Sequence, residues 1–221
     1  MKLVLFDLDH TLLDADSNHL WIEYLMAAGL AGPDAMQRQI DDHARYLAGQ
    51  LDIVGYIEYQ LSLLAGASVA EWRARREDFL VSCVAPRISA AARQTVAKHR
   101  ADGDCLLVIS ATHSFLAEGA GGLLGLDVLA APAEVREDAF TGRIAGEICY
   151  AERKMVCLQD WLERAGRGFG DFSATVFYSD SINDLPLLES VDQPITVNPD
   201  PRLAAVAAER GWPRLDWRVA K

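Results

Sequence analysis

Short apolar runs that end abruptly at a polar residue constrain the fold of this chain more than any other feature. The first run, Leu3–Phe6, stops at Asp7. An apolar run without alternation is typical of a strand that is buried on both faces of a parallel sheet. Four later stretches are also candidate strands. Three of them, 105–109, 175–178 and 195–197, have the same apolar character, and 128–130 shows it more weakly.

Segments with helical periodicity separate these candidate strands. The clearest of them are 90–100, 114–124 and 154–165. Strands that alternate with helices predict an α/β fold with a Rossmann-like parallel sheet and right-handed crossovers. The stretch 134–150 differs, because alternating residues flank Thr141 and Gly142. We interpret it as a small β-hairpin with its turn at those two residues.

One long region breaks the alternation of strands and helices. Residues 14–85 contain no convincing strand, and 20–28, 35–47, 53–64 and 69–83 all have amphipathic helical patterns. Asp52 and Ser68 are predicted N-caps, and Glu71 gives Ser68 the spacing of a capping box. We therefore expect an α/β core made of 1–13 and 86–221, with an inserted all-helical cap at 14–85.

Composition limits the partners and the compartment. The chain has 221 residues, 51% of them hydrophobic, and a formal net charge of -11. An acidic surface argues against nucleic acid or an anionic membrane as the main partner. The four cysteines form no C-x-x-C pair, and no stretch is apolar for about 18 residues. We expect a cytoplasmic protein, and the sequence does not indicate an oligomeric state.

Two acids follow the first predicted strand. Asp7 and Asp9 are two positions apart in the run FDLDHTL, so their side chains can share one face while Leu8 points to the core. Working groups of open α/β sheets collect at the carboxyl ends of the strands. Two close carboxylates repel each other unless a cation or a shared proton relieves them. The alternative interpretation is an ordinary strand end followed by a capping or turn acid.

A second acidic motif follows the strand predicted at 175–178. The run YSDSINDLP places Asp180 and Asp184 four residues apart, so one helical turn can bring both toward one point. Together with Asp7 they form an all-oxygen donor set, which suits Mg²⁺. Between the two motifs, Ser110 ends the second predicted strand and can hold a phosphate oxygen. Lys154 precedes an apolar helix and can supply a positive charge to an anion.

The order of these motifs resembles that of the haloacid-dehalogenase-like phosphohydrolases. The shared pattern is Asp-x-Asp-x-Thr after the first strand, Ser after the second, a single Lys, and then Ser-Asp-x-x-Asn-Asp. The helical insertion after the first motif is similar to that of subfamily IB, the phosphoserine-phosphatase-like branch. The resemblance extends over the whole chain.

The resemblance implies hydrolysis of phosphate esters through an aspartyl-phosphate. Asp7 is then the nucleophile and Asp9 the general acid and base. Mg²⁺ is held by the carboxylates of Asp7 and Asp180 and the carbonyl of Asp9, with Asp184 in support, and Lys154 neutralises charge. The residues that the resemblance assigns to substrate or phosphate binding are Thr11, Ser110, Ala111, Asp16 and Asn183.

The cap is expected to choose the substrate. It carries 5 Arg against 11 acids, which favours a small phosphorylated metabolite with an amine, such as histidinol phosphate or phosphoserine. Phosphoserine phosphatases use an acid early in the cap for that amine. Asp16 stands at about this offset, but as Asp instead of the expected Glu, and it can equally cap a helix that begins near Ser17.

Three other functions share parts of this pattern. A receiver-type regulatory domain is itself phosphorylated on an aspartate, but it needs neither a 72-residue cap nor a second acid at Asp9. A phosphotransferase or mutase differs from a hydrolase only in whether water reaches the phosphoenzyme. An inactive binding module would not need the intact acids.

Overall fold

The computed structural model describes residues 1–219, so the last two residues of the predicted core lie outside the described part. The strands in chain order are β1 Leu3–Phe6, β2 Cys105–His113, β3 Asp127–Ala131, β4 Ala133–Arg136, β5 Ala139–Ile144, β6 Thr175–Ser179, β7 Gln193–Val197 and β8 Arg214–Leu215. Six of them form a parallel sheet in the order β3-β2-β1-β6-β7-β8, and β4 and β5 form a separate antiparallel pair.

The first strand lies in the middle of the sheet. All four residues of β1 are fully buried, and the strand pairs in parallel with β2 on one side and β6 on the other. After β1 the chain adds β2 and β3 on one side of it and later β6, β7 and β8 on the other. This change of direction creates a crevice at the carboxyl end of β1. The predicted α/β class and the parallel sheet are confirmed.

Between β1 and the helix that precedes β2, helices and helical turns account for all the named elements. They are α1 Ser17–Ala27, α2 Pro33–Leu47, α3 Ile53–Ser62 and α4 Val69–Phe79, followed by a π-helical turn and a 3₁₀ turn. The predicted caps are confirmed, because Asp52 accepts from the Gly55 amide and Ser68 and Glu71 form a reciprocal capping box.

The core helices cover both faces of the sheet. They are α5 Ala90–Ala101, α6 Ser114–Gly122, α7 Arg153–Arg164, α8 Leu185–Leu188 and α9 Pro201–Arg210. Alternate residues of β1 belong to different cores. Phe6 packs in a cluster that continues into the inserted helices, whereas Leu5 packs in a second cluster that includes Leu158 of α7.

An aromatic cluster fixes the inserted helices to the core. Trp21 of α1 is fully buried, and its ring meets those of Trp72, Phe79 and Phe115 edge to face, with centroids 4.9 to 5.9 Å apart. Phe115 belongs to α6 of the core, so the cluster crosses the junction. Truncation of such a side chain typically costs about 3 to 5 kcal/mol of stability.

The second strand is longer than predicted. The register between β2 and β3 shifts between Ile109 and His113, and His113 then pairs with Ala131. Ser110 therefore lies within the irregular part of β2 and not at its end. A bulge of this kind re-aims side chains while pairing continues beyond it.

The hairpin is present, but its predicted turn is wrong. Glu137 and Asp138 form the turn, with φ of 48° and 63°, as a two-residue hairpin loop of type I′ requires. Gly142 lies inside β5 with φ +81°, where an added Cβ would come within 3.2 Å of the Ser62 Cα. The glycine is thus explained by the close approach of β5 to α3.

Within residues 1–219, every helix is too short or too polar to cross a lipid bilayer.

Candidate active site

The loop after β1 presents the first two acids at the floor of a cavity. The Asp7 amide continues the ladder to the Tyr178 carbonyl at 2.9 Å, so the strand pairing positions this residue. The chain then reverses through His10, which has φ 57°, and the Leu13 amide donates to the Leu8 carbonyl at 2.9 Å. This tight loop is what allows both carboxylates to line one cavity.

Lys154 joins two carboxylates from different motifs. Its Nζ donates to Asp7 Oδ1 at 2.7 Å and lies 2.7 and 2.8 Å from the two oxygens of Asp184. Burial raises the pKa of Asp7 to about 7, Lys154 opposes that shift, and Asp184 adds to it. Burial alone would lower the pKa of Lys154, but the two carboxylates outweigh it and raise this pKa.

Asp9 is held by two donors. Its Oδ1 accepts from the Ser17 amide at 2.8 Å, and its Oδ2 accepts from Thr112 Oγ1 at 2.6 Å. Burial and then the nearby Asp16 carboxylate raise the pKa of Asp9 above its ordinary value, while the hydrogen bonds partly oppose that shift. Asp9 is therefore oriented and can carry a proton at higher pH than a free aspartate.

Asp180 completes the acidic group at the end of β6. It accepts from Thr11 Oγ1 at 3.0 Å. Burial raises its pKa well above the ordinary range, and the carboxylates of Asp7 and Asp184 push it further in the same direction. Ser179 donates to Asp184 at 2.7 Å and helps to orient that side chain toward Lys154.

The donor set at this position fits a hard divalent cation. Burial first and neighbouring carboxylates second raise the pKa values of Asp7 and Asp180, so holding two negative charges here is costly. A cation bound between them would relieve that cost, and oxygen ligands are the ones that Mg²⁺ prefers. Asp184 is hydrogen-bonded to Lys154, so it would support such a site without binding the cation itself.

Of the other residues predicted to bind substrate or phosphate, some line this cavity and some do not. Ser110 and Ala111 line the cavity, and Ser110 Oγ accepts from the Thr112 amide at 3.1 Å. Thr11 and Asn183 are not among the lining residues of this cavity, and the Thr11 hydroxyl is directed at Asp180. Asp16 lines the cavity and also caps α1, because its Oδ1 accepts from the His19 amide at 2.9 Å.

The inserted helices form the opposite wall of the cavity. Asn18, Gln39, Asp42 and Tyr46 all line it. The Tyr46 hydroxyl lies 2.7 Å from Ser181 Oγ and so links α2 to the loop that carries Asp180.

Several of these cavity residues were missed by the sequence interpretation. Thr112 lies two positions after Ser110, but nothing in the sequence shows that its hydroxyl reaches Asp9. Gln39, Asp42 and Tyr46 fall on one amphipathic helix, where such residues usually face solvent. A buried polar residue on a helix is visible only once its neighbours are known.

A second group of potential metal ligands lies at the other end of the sheet. His99, Asp102 and Asp104 offer atoms close enough to share an ion. Each already has a partner, since His99 contacts Asp104 and Tyr178 at 2.9 Å and Lys98 pairs with Asp102. We interpret this group as structural.

Comparison with known proteins gives a family match over most of the chain. The family model described as haloacid dehalogenase-like hydrolase matches residues 4–189. A histidinol-phosphatase of Neisseria meningitidis is 36% identical over 220 residues, which cover 98% of this chain and 99% of that protein. A phosphoserine phosphatase of Mycobacterium tuberculosis is 35% identical over 162 residues. Those residues cover 73% of this chain and 52% of the relative, so the chain spans about half the length of that protein.

Solved structures agree with this match. A protein of unknown function from Bordetella pertussis superposes with a TM-score of 0.91 at 39% identity, and 98% of each chain is covered. A phosphoserine phosphatase solved with bound substrate superposes with a TM-score of 0.69 at 19% identity, covering 99% of this chain and 94% of that one. The second likeness shows the shared fold.

Proposed function

The chain belongs to the haloacid dehalogenase-like hydrolase family and is a phosphatase, and we propose that it hydrolyses small amine-bearing phosphomonoesters through an aspartyl-phosphate on Asp7 with Mg²⁺. The observation that carries this proposal is the pairing of Asp7 and Asp9 on one loop. Lys154 holds the first acid, and the Ser17 amide and the Thr112 hydroxyl hold the second. The two acids are thus fixed separately, as two different roles require.

In the first step Asp7 attacks phosphorus. Lys154 binds Oδ1, and within residues 1–219 no hydrogen bond is made to the other oxygen, Oδ2, which leaves it available as the nucleophile. A bond forms between an Asp7 carboxylate oxygen and phosphorus, and the bond from phosphorus to the ester oxygen breaks. Asp9 donates its proton to the departing oxygen, and the alcohol is released.

In the second step water restores the enzyme. Asp9, now ionised, takes a proton from water as the water oxygen bonds to phosphorus. The bond between phosphorus and Asp7 breaks, inorganic phosphate leaves, and both acids return to their starting states. The raised pKa of Asp9 suits a group that must alternate between acid and base.

The remaining core residues position the phosphoryl group. Asp7 and Asp180, with the Asp9 carbonyl, would hold Mg²⁺, which when bound neutralises negative charge on the phosphoryl group and the carboxylates. Ser110 and Ala111 line the cavity and would bind phosphoryl oxygens. Thr11 and Asn183 do not line the cavity, so we assign Thr11 to the orientation of Asp180, to which its hydroxyl donates.

We further propose that residues 14–85 act as the cap that chooses the substrate. The similarity to a histidinol-phosphatase and to a phosphoserine phosphatase supports a phosphate ester of an amino alcohol or amino acid. The contact between Tyr46 and Ser181 supports closure of the inserted helices over the catalytic loop. A closed cap excludes bulk water from the first step.

The test is release of inorganic phosphate from a panel of phosphomonoesters with added Mg²⁺. Wild-type protein should turn over amine-bearing esters, and Asp7→Asn should lower kcat by about a thousandfold or more because the amide is not a nucleophile. Asp41→Asn is the matched control, since Asp41 is an exposed acid on α2. Acid quenching during turnover should trap phosphate on wild-type protein in a form that hydroxylamine releases.

Other outcomes identify the competing functions. Transfer of phosphate to an added alcohol without release would indicate a phosphotransferase or mutase. Stoichiometric phosphorylation without turnover would indicate a regulatory domain. Retained activity in Asp7→Asn would overturn the assigned nucleophile.

A further inference from the structure

The cavity has an uneven distribution of charge between its two walls. Of the residues 1–219 that line it, Lys154 is the one lysine or arginine, and its ammonium group is engaged with Asp7 and Asp184. The wall formed by the inserted helices adds two more carboxylates, Asp16 and Asp42. His10 and His43 are the other basic groups that line the cavity, and their rings lie 6.4 Å apart.

Asp42 differs from the other acids of α2. Its side chain is 5% exposed although the helix lies on the outside of the molecule. Arg45 binds its Oδ1 at 2.7 Å from the solvent side, whereas its Oδ2 makes no hydrogen bond within the described residues and has Arg38 Nε at 3.5 Å. Both arginines are about half exposed, so water screens them strongly.

A second acceptor without a partner lines the same cavity. Asn18 is 3% exposed, and its Nδ2 donates to Thr112 Oγ1 at 3.2 Å, while its Oδ1 has no partner within the described residues. Buried polar atoms are almost always satisfied in native proteins. Two buried acceptors without a hydrogen bond in one cavity therefore indicate a ligand that donates hydrogen bonds.

The protein's own hydrogen-bond donors do not satisfy these acceptors. Gln39 accepts from Gln60 at 2.8 Å and shares its other contacts with the Tyr56 hydroxyl, so the Gln39 amide is already used within the wall. A substrate carboxylate placed here would face Asp16 and Asp42 without a free lysine or arginine to receive it. A protonated amine or imidazole would complete the acceptors and offset the negative charge.

From this arrangement we infer that Asp42 is the specificity-determining residue of the cap, and that the substrate's alcohol part is cationic and carries no carboxylate. The inference rests on the proposed phosphatase function and narrows it. Histidinol phosphate meets the rule with both its ammonium and its imidazole groups. Phosphoserine violates it, because its carboxylate lies next to the amine.

The requirement for a cationic substrate without a carboxylate is tested on wild-type enzyme with three matched esters. Phosphoethanolamine is phosphoserine without the carboxylate, and ethyl phosphate lacks both charged groups. We expect kcat/KM for phosphoethanolamine to exceed the values for the other two by about tenfold or more, and histidinol phosphate to exceed all three. Equal or better hydrolysis of phosphoserine would overturn the inference and leave the phosphatase function intact. Failure to hydrolyse any ester would instead overturn the proposed function.

The role of Asp42 is tested by Asp42→Asn, which keeps the shape of the side chain and removes its charge. The ratio of kcat/KM for phosphoethanolamine to that for ethyl phosphate should fall about tenfold, mainly through KM. The neighbouring Asp41→Asn should leave this ratio unchanged, since Asp41 is exposed and contacts Gln37. An unchanged ratio in folded Asp42→Asn would overturn the assignment. Asp42→Ser repeats the measurement if the first variant is not stably folded.

Discussion

The two walls of the active-site cavity differ in how their polar groups are satisfied. On the core wall, each of the three acids Asp7, Asp9 and Asp180 accepts a hydrogen bond from a side chain or backbone amide of the protein. On the wall of inserted helices, Asp42 Oδ2 and Asn18 Oδ1 have none within residues 1–219. The core wall is therefore preorganised for one reaction, whereas the other wall is completed only by a ligand. In the proposed function, the core wall carries out catalysis, which all substrates share, and the other wall selects among substrates.

The largest expected effect on the core wall comes from Lys154→Met. The change leaves Asp7 and Asp184 buried without their common cation, which typically costs about 3 to 5 kcal/mol. We expect loss of activity toward every ester and a lower free energy of unfolding in urea. Lys98→Met is the control, because the pair of Lys98 with Asp102 is exposed, and it should hardly change stability. Equal stability of both variants would contradict the structural role of the buried cation.

Thr112→Val tests the point where the two walls meet. The Thr112 hydroxyl donates to Asp9 and accepts from Asn18. Its loss should reduce kcat about tenfold for all esters, since Asp9 loses a charge-assisted hydrogen bond. The pKa of Asp9 should rise further, because a hydrogen bond to the charged form lowers it, and the corresponding limb of the pH profile should move to higher pH.

Thr112→Ser retains a hydroxyl and serves as the conservative control. It should restore both kcat and the pH profile. A serine variant as impaired as the valine variant would show that packing of the methyl group, and not the hydrogen bond, is what matters.

Tyr46→Phe weakens the contact between the walls. Removal of the hydrogen bond to Ser181 should raise KM by about threefold to tenfold for every ester, because the inserted helices then close less favourably. The ratios between substrates should stay constant, in contrast to Asp42→Asn. Tyr59→Phe on α3 is the matched control. A change in substrate ratios would place Tyr46 in direct contact with the substrate.

The smallest expected effect concerns His113, beside the junction between core and cap. The ring is fully buried and stacks on Phe115, neither nitrogen has a partner within the described residues, and burial lowers its pKa from 6.5 to about 3. Between pH 6.5 and pH 3, His113 is therefore protonated in the unfolded chain and neutral in the folded one. The free energy of unfolding is unaffected by this proton above pH 6.5 and decreases progressively as the pH falls toward 3.

His113→Leu should consequently raise stability by about 1 kcal/mol at pH 7 and by more at pH 5. Thermal unfolding at the two pH values measures the difference. His99→Leu provides the contrast, because His99 is bonded to Asp104 and Tyr178 and its loss should be destabilising. A His113→Leu gain that does not grow at lower pH would contradict the depressed pKa.

Most of the core wall could be predicted from the sequence because its acids follow buried strands. The strand at Leu3–Phe6 and the acids Asp7 and Asp180 beyond their strands follow from local patterns, whereas Lys154 was expected opposite them from the order of the motifs. The length of β2 and the hairpin turn were predicted wrongly. In both cases a contact distant in sequence, with Ala131 and with Ser62, overrides the local signal.

By itself, the sequence determined the fold class, the helical run after the first strand and the position of Asp7 and Asp180 beyond two buried strands, because periodicity and strand ends are properties of adjacent residues. Only the tertiary structure decided which side of α2 is buried and that Asp42 and Asn18 line the same cavity as Asp7. An exposed acid and a buried one look alike in a sequence, since burial depends on neighbours that the fold brings together. The proposed choice of substrate depends on that second set of contacts.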